Sequence, residues 1–251
     1  MKHKVLAEIV DTREQGAYLT ITARCPEISR EAKPGQFVNI RVRESFDPLL
    51  RRPFGIHDAD GDLLTVMVML RGKGTRALLD KHPGDTLNLI GPLGNPYPSP
   101  HQGKPPLLIA GGIGIAPFYF FAKAYPKPVL LFGARSAELV PLMDKFREVC
   151  DPAIATDDGS EGVKGTVVDL LKEYDLSKYT IYACGPTPMF RALTEHFSSR
   201  PTAPDAYFSL ETYMGCGFGA CKGCSVRTKP DGAMKLCCTD GPAFKWNEVE
   251  L

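Results

Sequence analysis

Several things are scarce in this chain of 251 residues. It has almost no charge imbalance: 30 Lys and Arg stand against 29 Asp and Glu, a net charge of +1. That leaves no basic footprint for nucleic acid or for an anionic membrane surface. No apolar run approaches the roughly 20 residues that a bilayer span requires. The opening MKHKVLAEIVDTREQ holds too short an apolar stretch for a secretory signal. The chain is therefore expected in the cytoplasm, where thiols stay reduced and clustered cysteines serve metals more often than disulfides. Histidines are few and scattered, at 3, 57, 82, 101 and 196, and read as surface or structural groups. Neither a Ser-His-Asp set nor paired carboxylates are needed for the chemistry the remaining motifs indicate. No internal repeat is apparent.

What is present is a core-forming composition, 43% hydrophobic and 24% charged, in a length that suits two ordinary domains or one large one. Up to about residue 98, short β-rich runs alternate with Gly, Pro and Asp turns: AYLTITAR (17–24), GQFVNIRV (35–42), PFGIHDAD (53–60), LLTVMVML (63–70) and DTLNLIGPLG (85–94). Strands at this spacing predict a small closed antiparallel β-barrel, with one helical patch over 74–82. The proline-rich GNPYPSPHQGKPP (94–106) reads as a linker. From there to 209, buried-type strands alternate with helical segments: PLLIAGG, PVLLFGA, PAIATDD, YTIYACG and DAYFSLE, separated by stretches such as APFYFFAKAY and ELVPLMDKFREV. That order predicts βα units, a parallel-sheet α/β domain with its ligand crevice at the strand ends. Residues 210–251 break the pattern and are rich in Gly and Cys.

Three constellations carry chemistry. In RRPFGIH (51–57) an Arg at a strand end offers a planar fork for phosphate, Pro53 stiffens the strand, and Phe54 is placed to lie against a flat ring. RGKGT (71–75) opens a helix whose free N–H groups suit a pyrophosphate. Read alone, this is also a charged strand edge and an ordinary turn. In LLIAGGIGIAPF (107–118), Gly111, Gly112 and Gly114 follow a buried strand, with Pro117 where a third fingerprint glycine would stand. A tight βα corner is the plainer account. YACGPTPMF (182–190) repeats the geometry, placing Cys184, Gly185 and Pro186 near the same crevice, although a lone cysteine is commonly only a small buried hydrophobe.

The third constellation is METAL-like in its spacing: Cys216, Cys221 and Cys224 follow C-x4-C-x2-C, with the adjacent pair Cys237-Cys238 downstream. This is the plant-type arrangement for a [2Fe-2S] cluster. A structural zinc site more often shows two C-x2-C knuckles, and a disulfide framework is the other alternative. Glycines at 215, 217, 219 and 223 let a short loop wrap a cluster with its amides free to bond sulfur.

With RRPFGIHD, GKGTRAL, AGGIGIAPF, TDDGSEGVKGTVVDLL, YACGPTPM and MGCGFGACKGCSV…CCTDGPAF all in one chain, the sequence resembles the ferredoxin–NADP reductase superfamily. More closely, it resembles the electron-transfer subunits of NAD-linked, type B dihydroorotate dehydrogenases, over essentially its whole length. The resemblance implies an FAD-binding barrel (1–98), an NAD-binding domain (99–209) and a cluster lobe (210–251). It implies FAD on Arg52, Pro53, Phe54 and Gly55, on Met67, Val68 and Met69, and on Gly74-Thr75, with NAD at Gly111, Gly112, Gly114, Cys184, Gly185 and Pro186. The partner implied is a catalytic subunit carrying FMN, two of each forming a heterotetramer in pyrimidine biosynthesis. The register to the DGP turn selects Cys238, not Cys237, as the fourth ligand. One departure stands out: the family usually has Ser or Thr, whose hydroxyl is expected near the flavin, where this chain has Gly55. Related flavin and iron–sulfur subunits, of ferredoxin-dependent NADP reductases, hydrogenases or sulfide dehydrogenases, share all three constellations. A non-catalytic iron–sulfur or zinc module, with merely structural glycine turns, is the reading from a different class. Arg135, after the second parallel strand, leaves NADP open beside NAD.

Overall fold

Alternation along the strands sets the first half of the molecule. The computed structural model describes residues 1–141 and 143–251. Within them, β1 (His3–Gln15), β2 (Tyr18–Arg24), β3 (Phe37–Arg41), β4 (Arg52–Asp60), β5 (Leu63–Met69) and β6 (Thr86–Leu93) close an antiparallel barrel in the order β1-β2-β5-β4-β3-β6. Inward-facing Ile21, Val38, Ile40, Leu64, Val66, Val68, Leu87 and Leu89 fill it. β1 was not legible as a strand in the sequence, because only Ala7 and Ile9 of its thirteen residues are buried hydrophobics. It pairs with β6 over its first half and with β2 over its second, a bulge at Ile9/Asp11 marking the change of direction that closes the cylinder. The helical patch expected over 74–82 is α-helical only at α2 (Lys73–Arg76). Beyond it the hydrogen bonds tighten to three-residue turns, Leu78 N–H to Thr75 and Leu79 N–H to Arg76, ahead of Pro83.

The second half is a sheet of β7 (Pro106–Gly111), β8 (Val129–Ala134), β9 (Asp151–Thr156), β10 (Val163–Lys164), β11 (Thr180–Cys184) and β12 (Ala206–Ser209), all parallel. Helices α3 (Phe118–Lys123), α4 (Met143–Val149), α5 (Val167–Leu170) and α6 (Thr187–Ser198) connect or flank these strands. Of the helical segment expected over 138–149, Leu142 lies outside the described residues. Strand order β10-β9-β8-β7-β11-β12 means that the chain runs outward from β7, then returns to its other side. The switch point therefore lies between β7 and β11, the place where sheets of this kind have their ligand crevice beyond the strand ends.

The linker expected over 94–106 has no regular structure before β7, but it is pinned. Tyr97 is buried against Phe118, Phe121 and Tyr182, and its hydroxyl meets that of Ser209 at 3.2 Å. The cysteine-rich end contains a hairpin of β13 (Ser225–Arg227) and β14 (Met234–Leu236). It then adds β15 (Ala243–Lys245) antiparallel to β12, as an edge strand that periodicity did not reveal. Cys224, Cys237, Cys238, Phe244 and Trp246 share one core with the sheet, which fixes the end segment to it.

Candidate functional site

The two glycine motifs meet at the switch point. A Cβ on Gly114 would lie 2.1 Å from the carbonyl oxygen of Cys184, and one on Gly111 would lie 2.9 Å from Pro186 Cδ. Only bare backbone lets the turns after β7 and β11 approach so closely. Cys184 is buried at the end of β11. Burial, reinforced by the neighbouring Glu211 carboxyl, pushes its thiol well above the ordinary range, so it is a neutral group. Glu211 escaped the sequence reading. It stands two residues past the end of β12, beside β11, which is the signal that could have placed it near the switch point. Its side chain is solvent-accessible but densely surrounded, and burial of the carboxyl raises its affinity for a proton.

The barrel brings its own segment to the same place. Met67 and Met69 face out of β5 into the interface with the sheet domain, while Val68 turns into the barrel and can offer a ligand only its backbone. A Cβ on Gly112 would come within 3.8 Å of Met69, and one on Gly55 within 3.3 Å of Pro117. On β4, Pro53 pairs with Asn39 and Gly55 with Phe37, whereas Phe54 pairs with inward-facing Val38 and packs against the barrel core. Strand alternation puts Pro53 and Gly55 on one face of β4 and Arg52 and Phe54 on the other. Arg52 lies over the phosphate-type turn, its Nε 2.9 Å from where a Cβ of Gly74 would stand. The Thr75 hydroxyl accepts from the backbone N–H of Arg71 (2.9 Å) and Gly72 (3.1 Å), holding that turn open.

His57 ties β4 to the crevice. It is buried, its Nδ1 donates to the carbonyl of Ala116 (2.7 Å), and it stacks on Tyr119. This places it among the structural histidines. Burial lowers its pKa from 6.5 to about 4, against the opposing pull of the Ala116 carbonyl. The unfolded chain then binds a proton near pH 6.5 that the folded chain refuses, so this contribution to stability is complete above 6.5 and is lost as pH falls towards 4. The span corresponds to about 3 kcal/mol. Urea midpoints measured from pH 7.5 to 4.5 should fall in the parent and fall distinctly less in His57→Phe; parallel slopes would refute the assignment.

The cysteine loop divides into two pairs. Cys216 Sγ accepts from Cys221 N–H (3.4 Å) and Cys221 Sγ from Gly223 N–H (3.5 Å), while the Cys224 and Cys238 sulfurs stand 3.2 Å apart. Burial raises the Cys216 pKa, but the N–H groups of Phe218, Cys221 and Ala220 outweigh it and bring the thiol down to about 6. Cys238 is pushed up to about 12 by burial and then by Cys224, because two thiols at that separation cannot both ionise without a cation between them. Among the described residues no three His, Cys, Asp or Glu side chains gather round one single-ion position. The donors the loop does supply are four soft thiols, Cys216, Cys221, Cys224 and Cys238, and that chemistry fits an iron–sulfur cluster. Cys237 points elsewhere: fully buried, it donates its Sγ–H to Leu210 O (3.1 Å) within the sheet core. All eight cysteines are free thiols.

A single hydrogen bond joins this loop to the barrel strands among the described residues: Asn39 Nδ2 donates to Cys216 O at 3.1 Å. Asn39 stands beside Pro53 on the outward face of β3 and β4. The Pro53–Gly55 face is therefore flanked by the cysteine loop on one side and by Pro117 of the glycine crevice on the other.

Known proteins share this arrangement. Residues 211–250 match the family described as "Iron-sulfur cluster binding domain of dihydroorotate dehydrogenase B". The chain is 41% identical over 242 residues to the dihydroorotate dehydrogenase B (NAD(+)), electron transfer subunit, of Bacillus caldolyticus, covering 93% of this chain and 92% of that protein. It is 38% identical over 258 residues to the subunit of the same name from Bacillus pumilus (strain SAFR-032), covering 99% and 98%. A solved structure described as "Insights into flavin-based electron bifurcation via the NADH-dependent reduced ferredoxin-NADP oxidoreductase structure" superposes with a TM-score of 0.85 at 32% identity, over 100% of this chain and 91% of that one. With barrel, crevice and paired thiols in one continuous match to these relatives, the chain belongs to the family of electron-transfer subunits of dihydroorotate dehydrogenase B (NAD(+)).

Proposed function

We propose that this chain carries electrons from a catalytic partner subunit that oxidises dihydroorotate, through a [2Fe-2S] cluster and FAD, to NAD⁺. The observation that supports it most is the placement of Pro53 and Gly55, between the cysteine loop and the glycine crevice. When bound, FAD exchanges a hydride with nicotinamide and single electrons with the cluster. Arg52 and the Gly74-Thr75 turn hold the FAD phosphates, and Pro53, Phe54, Gly55, Met67 and Met69 support its ring. Gly111, Gly112 and Gly114, with Cys184, Gly185 and Pro186, let the dinucleotide approach bare backbone at the switch point. The neutral Cys184 thiol excludes water from the end of β11. Cys216, Cys221, Cys224 and Cys238 would hold the cluster, which would supply one-electron transfer there. Backbone N–H groups round Cys216 stabilise thiolate charge there.

As an electron-transfer subunit the chain works with a catalytic partner; we assign that partner FMN and the assembly two copies of each chain, in the cytoplasm. No helix among the described residues is long and apolar enough to cross a membrane. Exposed Tyr213 and Phe218 on the cysteine loop offer the partner an apolar contact where electrons enter. Arg135 sits exposed after β8, and the reading here is a solvated loop charge with NAD as the nucleotide.

Anaerobically purified subunit should contain FAD, iron and sulfide, and NADH should bleach the flavin within the mixing experiment. Dihydroorotate should leave the isolated subunit oxidised and reduce it only after the partner is added. Reduction of the lone chain by dihydroorotate, or protein holding zinc without flavin, would overturn this division of labour.

A further inference from the structure

We propose that Asn39 is a positioning residue that seats the cysteine loop on the flavin-supporting strands and so sets the separation across which electrons pass. The inference rests on the function proposed above. Three observations carry it. Asn39 is fully buried on the outward face of β3, where its neighbours Val38 and Ile40 face into the barrel. Its Nδ2 donates to the carbonyl of Cys216, the first cysteine of the loop, at 3.1 Å. Its Oδ1 is buried without any hydrogen-bond partner, and Pro53, opposite on β4, has no N–H to offer.

A half-satisfied buried amide is less stable than a leucine of the same shape, so packing does not account for it. The bond to Cys216 does. The loop is built to receive it: Gly217 has φ +82°, and a Cβ there would press to 3.0 Å of Asn39 Nδ2 and 3.1 Å of Leu93. The loop backbone thus lies directly on the barrel at this point. Asn95 binds Thr239 O and Gly241 O, close to Cys238, which leaves Asn39 to fix the Cys216 side. Electron tunnelling falls exponentially with separation, so a loop free to lift from β3 exchanges electrons more slowly even with all its ligands in place.

The test uses the full chain, purified anaerobically, as Asn39→Leu. FAD content and the rate at which NADH reduces the flavin should match the parent, since the amide touches neither the crevice nor the phosphate turn. The cluster should bleach about fivefold faster under a ferrous chelator, the loss of one hydrogen bond raising the open population. Electron passage from reduced flavin to cluster, followed by the growth of the cluster's paramagnetic signal, should slow as well, because the seat that sets the separation in the closed loop is lost. Gly217→Ala, which lifts the loop from its own side, should give the same split. Parental cluster readouts in both variants would overturn the proposal, as would an equal loss of flavin content, which would make Asn39 a support of the barrel alone. A parent chain with neither flavin nor cluster would overturn the proposed function and this inference together.

Discussion

Cys238→Ser is expected to yield a protein that keeps its FAD and its reduction by NADH but has lost essentially all cluster absorption, iron and sulfide. Cys237→Ser is expected to keep all of them. The two residues are adjacent, and what separates them is direction. Cys238 faces Cys224 across 3.2 Å, completing the second pair of the loop. Cys237 turns the other way and donates to Leu210 O from inside the sheet core, a bond that a serine hydroxyl can also make. A serine at 238 replaces a soft thiolate by a hydroxyl that ionises far less readily, and soft ligands are what iron–sulfur centres select. Burial of Cys238 sharpens the effect, because an uncharged oxygen there has no solvent to recruit in its place. Iron analysis and visible spectra of the two variants, prepared without air, check the pair. Bleaching of Cys237→Ser with an intact Cys238→Ser would reverse the assignment.

The sequence disclosed most where local pattern and chemistry coincide. Buried strands ending in glycine turns placed the α/β half and its crevice, because parallel strands covered on both faces read as continuous apolar runs such as PLLIAGG and PVLLFGA. The C-x4-C-x2-C loop pointed to a thiol cluster, while the preference for Cys238 over Cys237 came from the resemblance to the family, through its register to the DGP turn. What stayed hidden depends on contacts between distant segments. β1 is amphipathic only where it borders the core, so its charged half looked like surface. β15 is three residues long and is a strand only because β12 offers an edge. Asn39 carries no signal in GQFVNIRV beyond being the polar member of an alternating run, and its role appears only when Cys216 arrives from the other end of the chain. Gly55 was legible as a departure from the family pattern but not its physical setting. Pro117 stands 3.3 Å from the position a Cβ would take, a tight contact for any side chain placed there.

Gly114→Ala should severely slow the nicotinamide half of the reaction while sparing the barrel. The added methyl would stand 2.1 Å from the Cys184 carbonyl oxygen and 2.8 Å from Gly185 N, both backbone atoms with no rotamer to yield. Relief requires β7 and β11 to part at their ends, where the crevice is built. Displacements of about 1 Å cost catalysis roughly 100-fold, and that is the loss expected in the rate of flavin reduction by NADH. Stability should fall by about 1–3 kcal/mol, the usual cost of overpacking. Gly112→Ala separates sterics from backbone freedom. Gly112 has φ +53°, but a Cβ there meets nothing closer than Met69 at 3.8 Å, so its cost is a left-handed residue, about 1–2 kcal/mol, without a collision. Stopped-flow flavin reduction should therefore rank the parent first, Gly112→Ala second and Gly114→Ala far behind, with FAD content equal in all three. If Gly114→Ala reduced its flavin within a few-fold of the parent rate, the nucleotide crevice would have to lie elsewhere than between β7 and β11.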